Sequence, residues 1–160
     1  MNQKTSWPLI IASFIGAIIL TLLPMPEWTV WLRPAWVLMV VIYWIIMAPN
    51  YVNVGAAWFV GLILDLLNGS LLGEHALAML SVAYIVSRIY LRIRMFPFIQ
   101  QSLTVFLLVL FYQGILFCIQ GFIGDLPASS LFWASALTSM ILWPWLFSLL
   151  RNCQRKFSVV

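Results

Sequence analysis

Six apolar blocks divide this chain, at about 8–24, 34–48, 54–68, 76–91, 98–123 and 130–150, and short polar seams separate them. A bilayer core needs about 20 helical residues, with a usual range of about 17–25. The first, fifth and sixth blocks meet that length. The second and third are shorter, near 15 residues each, or roughly 22 Å of helix. They either span with Trp and Arg flanks reaching outward or form a re-entrant hairpin dipping in from the outside. Six spans is the favoured reading. Prolines mark the boundaries. Pro8 and Pro34 sit near block starts, where a missing N–H is harmless, and Pro24, Pro49, Pro97 and Pro127 lie in the seams. Pro144 falls inside the sixth block and predicts a kink there. Trp7, Trp28, Trp31, Trp36, Trp133, Trp143 and Trp145 gather toward block ends, as an interfacial aromatic belt requires.

The charges sort by seam. Alternate seams and the two tails hold Lys4, Arg88, Arg92, Arg94, Arg151, Arg155 and Lys156, seven of the eight basic residues. The other seams hold Glu27, Glu74, Asp125 and one base, Arg33. Lys and Arg concentrate in short cytoplasmic loops, so the pattern predicts a polytopic, all-α membrane bundle with cytoplasmic N- and C-termini. Composition agrees: 64% of residues are hydrophobic, 8% are charged and the mean hydropathy is +1.06. A soluble domain carries about 25% charged residues. The net charge of +4 does not point to nucleic acid, because the bases are juxtamembrane and each gains roughly 1 kcal/mol from anionic lipid headgroups. Lys4 and the run Leu9–Leu23 resemble a signal peptide. No small-x-small cleavage site follows, so the segment is read as a retained first helix. Cys118 and Cys153 read as apolar filler rather than as a disulfide or a metal site.

Few residues could carry chemistry. Asp65 lies inside the third block, where a lipid-facing carboxylate costs at least about 2.5 kcal/mol, so it is expected to face the bundle interior or a wet cavity. At helical spacing it shares a face with Gly61 and Asn68, and Ala57-x-x-x-Gly61 is a close-packing pair. That face is either a partner or ligand contact or a structural carboxylate satisfied by a neighbouring helix. Arg33 is the candidate to pair with Asp65. His75 beside Glu74 is a weak metal signal, since zinc takes three or four protein ligands. Gly69 and Gly73 read as turn positions. Gln113, Gly114, Gln120 and Gly121 form two seven-residue pairs along the fifth block, read as interhelical glue or as a groove for a partner helix. Ser135 and Ser139 give the sixth block a similar close-packing face. Arg88, Arg92 and Arg94 form a cytoplasmic patch, either a lipid-contacting topology anchor or a docking site. No cofactor is expected.

Several of these residues occur together in one family. Arg33-Pro34-x-Trp36, Asn53-Val54-Gly55, Gly61-x-x-x-Asp65, Gly69, Leu72-Gly73, Leu77-Ala78-Met79, Ala83-Tyr84 and Trp143-Pro144-Trp145 before a basic tail resemble the MreD family of rod shape-determining proteins of bacterial inner membranes. The resemblance covers most of the chain. It implies a non-catalytic scaffold of the cell-elongation machinery that binds MreC. It also implies work alongside MreB, RodZ and the paired glycosyltransferase and transpeptidase of peptidoglycan synthesis. The fold it implies is similar to the substrate-binding subunits of energy-coupling-factor transporters. Two alternatives stay in view. A vitamin-binding transporter subunit would use a polar outer pocket around Arg33, Asp65 and His75. An intramembrane aspartyl protease would use Asp65 and Asp125 as two carboxylates sharing a proton, although Asp125 sits in a Gly-Asp-Leu-Pro turn.

Overall fold

A computed structural model describes residues 7–30, 32–124 and 130–158; Lys4, Trp31, Asp125 and Pro127 lie outside the described residues. The described chain is helical throughout. Its helices are α1 (Trp7–Leu22), a single turn α2 (Glu27–Val30), α3 (Trp36–Met47), α4 (Val54–Asn68), α5 (Glu74–Met95), α6 (Phe98–Ile123) and α7 (Ala134–Ser158). A 3₁₀ turn, Ser130–Trp133, leads into α7. Local chemistry sets several of the ends. Asn53 caps α4 by accepting from the Ala56 N–H at 3.1 Å, the preferred role of Asn at that position. Gly69, at φ +66°, closes the same helix in the left-handed region, where the missing Cβ avoids the steric penalty. α5 runs four residues beyond its apolar block and carries Arg92 and Arg94 in its last turn. α7 continues through Pro144 and past the sixth block, so the basic tail is itself helical.

Three of these segments are long and apolar enough to cross a membrane: Glu74–Met95, Phe98–Ile123 and Ser130–Phe157. α1, α3 and α4 are shorter apolar helices. The shortest, α3, is the core. Every residue from 37 to 46 is buried, and α3 packs against α1, α5 and α7. A helix apolar on all sides needs such a sheath. α4 takes α5 as its main partner. The outer surface is apolar too, with Ile99, Phe122 and Met95 among the most exposed side chains. An apolar surface on that scale calls for lipid rather than water. Trp7, Trp28 and Trp133 are exposed near helix ends and Trp145 is exposed midway along α7, but Trp143 is fully buried. Its expected place in an interfacial belt is therefore corrected: its ring packs on Phe147 at a centroid distance of 5.9 Å.

The two ends of the bundle differ in charge. At one end the Trp7 ring meets Tyr51 at 5.3 Å, Arg94 donates to the Met47 carbonyl at 3.0 Å, and the Tyr43 hydroxyl donates to Gln154 Oε1 at 2.9 Å. These contacts gather the start of α1 with the ends of α3, α5 and α7, and so the exposed Arg92, Arg94, Arg155 and Lys156. The opposite end holds Glu27, Arg33, Asp65, Glu74 and His75. Tyr43 and Gln154 are both buried, so Tyr43→Phe should lower stability by about 1 kcal/mol, read as a lower melting temperature in detergent. An unchanged melting curve would show that this link between α3 and α7 adds nothing.

Candidate functional site

Asp65 lies one turn before the end of α4, and its side chain is fully buried. The link that follows turns back through Gly69 and Gly73, both with positive φ, and brings the first turn of α5 over the carboxylate. Oδ1 accepts from the His75 N–H at 2.9 Å, His75 Nδ1 at 2.8 Å and Ser70 Oγ at 3.1 Å. Oδ2 accepts from the Gly73 N–H at 2.8 Å and the Ala76 N–H at 3.3 Å. The first N–H groups of a helix have no partner within it, and that end carries partial positive charge. Asp65 therefore caps α5 from a neighbouring helix, which is the structural use of the carboxylate weighed above. Holding the proton on Nδ1 leaves His75 Nε2 as its other polar atom.

Arg33 does not pair with Asp65. It reaches back to α1, donating to the Thr21 carbonyl and, at 2.5 Å, to the Leu23 carbonyl. Those carbonyls end a helix and need donors. Arg33 thus clamps the α1 terminus, while the partner of Asp65 is His75. The Arg33 carbonyl in turn accepts from Ser135 Oγ at 2.7 Å, and Ser139 Oγ accepts from the Ala35 N–H at 3.1 Å. Both serines expected to pack α7 closely do so against the start of α3.

Gly61 marks the tightest crossing. A Cβ built there would stand 2.4 Å from Ala76 Cα and 2.8 Å from Ala76 N. The face bearing Gly61 and Asp65 is thus filled by α5 of the same chain, which leaves no room there for the partner contact considered above. The polar stripe of α6 divides. Gln113 Nε2 donates to the Phe132 carbonyl at 2.8 Å, and Gln120 Nε2 donates to Glu74 Oε1 at 2.8 Å. Both glutamines serve as internal glue. Gly114 has open space where a Cβ would stand, and Gly121 is exposed. The sequence reading missed Glu74 as the acceptor for Gln120. The available signal was its first-turn position in α5, where a carboxylate is favoured.

Between these elements lies a cavity of about 290 Å³. Arg33, Asn68, His75 and Gln113 form its polar wall, and Leu64, Met79 and Leu116 its apolar wall. Val30 and Asn68, both exposed, place its mouth at the acidic end. Arg33, His75 and Gln113 thus share one space, while Asp65 stands behind His75. Ser70, His75 and Asp65 are the residue types of a nucleophilic triad, but the geometry is wrong. Ser70 Oγ and Asp65 approach the same imidazole nitrogen, so no second nitrogen stands between them to relay a proton. Among the described residues no group of three or more His, Cys, Asp or Glu could hold a metal. Arg88, Arg92 and Arg94 are exposed at the far end of α5. The Arg88 guanidinium lies over the Tyr84 ring at 5.2 Å.

The comparisons with known proteins fit this arrangement. No solved structure matches the chain. The rod shape-determining protein MreD of Haemophilus influenzae is 36% identical over 153 residues, covering 94% of this chain and 93% of that protein. The family described as rod shape-determining protein MreD matches residues 1–153. A match of that extent, joined to an apolar helical bundle, shows that this chain belongs to the MreD family of shape-determining membrane proteins.

Proposed function

We propose that this chain acts in rod shape determination as a non-catalytic, multi-pass scaffold of the bacterial inner membrane. It crosses six times with both tails in the cytoplasm, binds MreC and supports side-wall peptidoglycan synthesis beside MreB, RodZ and the paired glycosyltransferase and transpeptidase. Family membership supports the role in cell shape. The gathering of helix ends into one basic and one acidic pole supports the topology, because cytoplasmic loops carry the excess of Lys and Arg. A likeness to energy-coupling-factor substrate-binding subunits remains part of the same reading.

The observation that carries MreC binding is the vacancy beside α6. Gly114 faces open space and Gly121 is exposed one heptad further on. In lipid, helices associate through close packing at small residues and through polar pairing, and the small residues of this α6 face leave room for such packing. The membrane helix of MreC would lie against it. Gly114→Leu should lower recovery of co-purified MreC about tenfold, or about 1.4 kcal/mol of affinity, with the membrane level of the variant unchanged. Undiminished recovery would reject this face as the docking surface.

A further inference from the structure

We infer that the cavity at the acidic end is a binding site for a small organic anion, a carboxylate or phosphate with an apolar portion. The inference does not depend on MreC binding. Close-packed interiors leave few voids larger than a water molecule, whereas about 290 Å³ equals the liquid volume of roughly ten waters. It sits at the lower edge of ligand pockets, about 300–1,000 Å³.

Two residues that line it each carry a buried polar atom without a partner. Among the described residues, four buried side-chain atoms have no hydrogen bond: Arg33 Nε, Gln101 Oε1, Gln113 Oε1 and Trp143 Nε1. Two of the four belong to residues that line this one cavity. Gln113 is only 5% exposed, and its amide nitrogen is held by the Phe132 carbonyl, so its oxygen is the end left over. Arg33 is likewise fixed at its terminal nitrogens by the Thr21 and Leu23 carbonyls, which leaves Nε. Buried polar groups are normally satisfied, and an exception calls for a missing partner.

Charge selects the class of ligand. A guanidinium lines the cavity, and no carboxylate does. Asp65 is engaged by the first turn of α5 and His75, and Glu74 by Gln120. Arg33 is therefore the charged group on this wall, while His75, with its proton on Nδ1, offers Nε2 as an acceptor for a hydroxyl on the ligand. Leu38, Leu64, Met79, Leu116 and Phe132 supply an apolar face for the rest of the ligand. Two sources share this chemistry, the headgroup region of an anionic phospholipid and a water-soluble organic anion.

The test uses the full chain in phosphatidylcholine nanodiscs, titrated calorimetrically with octanoate and with octylammonium. Octanoate should bind at one site, at least about tenfold tighter than the cation of equal length. Leu116→Trp and Met79→Phe fill the cavity without altering its polar wall, and each should weaken octanoate about tenfold while the melting curve stays cooperative. Equal binding of the two probes would mean partition into lipid and would overturn the site. Undiminished octanoate binding in both filled variants would do the same. If neither variant folds, the comparison of the two probes on the unaltered chain still decides. Nanodiscs of phosphatidylglycerol then separate the sources: displacement of octanoate identifies a lipid headgroup, and unaltered binding identifies a soluble anion.

Discussion

Gly61→Ala is expected to cost about 3 kcal/mol or more, at or above the upper end of ordinary overpacking penalties. The added methyl would stand 2.4 Å from the Ala76 Cα. The neighbour is backbone in the first turn of α5, so no side chain can swing aside. Relief requires α4 and α5 to separate, and separation pulls the Gly73, His75 and Ala76 N–H groups away from Asp65. One methyl group therefore acts on packing and on the polar cap together. Gly16→Ala in α1 is the control, because a Cβ there meets nothing within 4 Å. Replacing a mid-helix glycine by alanine at such a site should gain roughly 0.5–1 kcal/mol. Unfolding of the two variants in mixed detergent micelles, followed by circular dichroism, measures both. Equal stability would show that α4 and α5 are not in backbone contact at this crossing.

Asp65→Ala is the second large effect. Truncation leaves the N–H groups of Gly73, His75 and Ala76 without an acceptor, together with the imidazole of His75. The loss should reach about 3–5 kcal/mol, since several buried donors are stranded at about 1–3 kcal/mol each. Asp65→Asn keeps one acceptor oxygen and should fall between, costing roughly 1–3 kcal/mol for the donors it strands. The order Asp, Asn, Ala in melting temperature is the signature of a cap. A partner contact alone would leave the isolated protein equally stable in all three forms. Cysteine accessibility at Ser70, in a Ser70→Cys background, should rise in the same order as the link to α5 loosens.

Much of this architecture is legible in the sequence, because apolar length and punctuation are local. Each of the six blocks holds a helix, three of them long enough to cross a membrane, and α4 occupies the interval between its Asn53 cap and Gly69. What local signals cannot give is which helices touch. Arg33 and Asp65 are the obvious pair by charge, since Arg33 is the one base expected in its set of seams and Asp65 the one acid inside an apolar block. The structure satisfies both with nearer groups: helix-terminal carbonyls for Arg33, and helix-terminal N–H groups and a histidine for Asp65. Charge counting overlooks those backbone partners. The small-residue faces show the same limit. Spacing identifies Gly61 and Gly114 as possible contact points, but only the packing of α5 reveals that one is filled and the other vacant. Trp143 is a third case, since position near a block end gives no hint that its ring turns inward. The polar outer pocket expected around Arg33, Asp65 and His75 shows the same limit: the cavity is lined by Arg33 and His75, but Asp65 stands behind the imidazole and Gln113 comes in from α6.

The enclosure of α3 bears on how the protein is made. Of the three helices that sheath it, only α1 precedes it from the ribosome; α5 and α7 emerge later. Chains fold from the N-terminus onward as they are translated, yet this segment is too short to be a comfortable lipid-facing span. Its sheath is complete only when the last helix has been made, so the centre of the bundle is translated early and covered late.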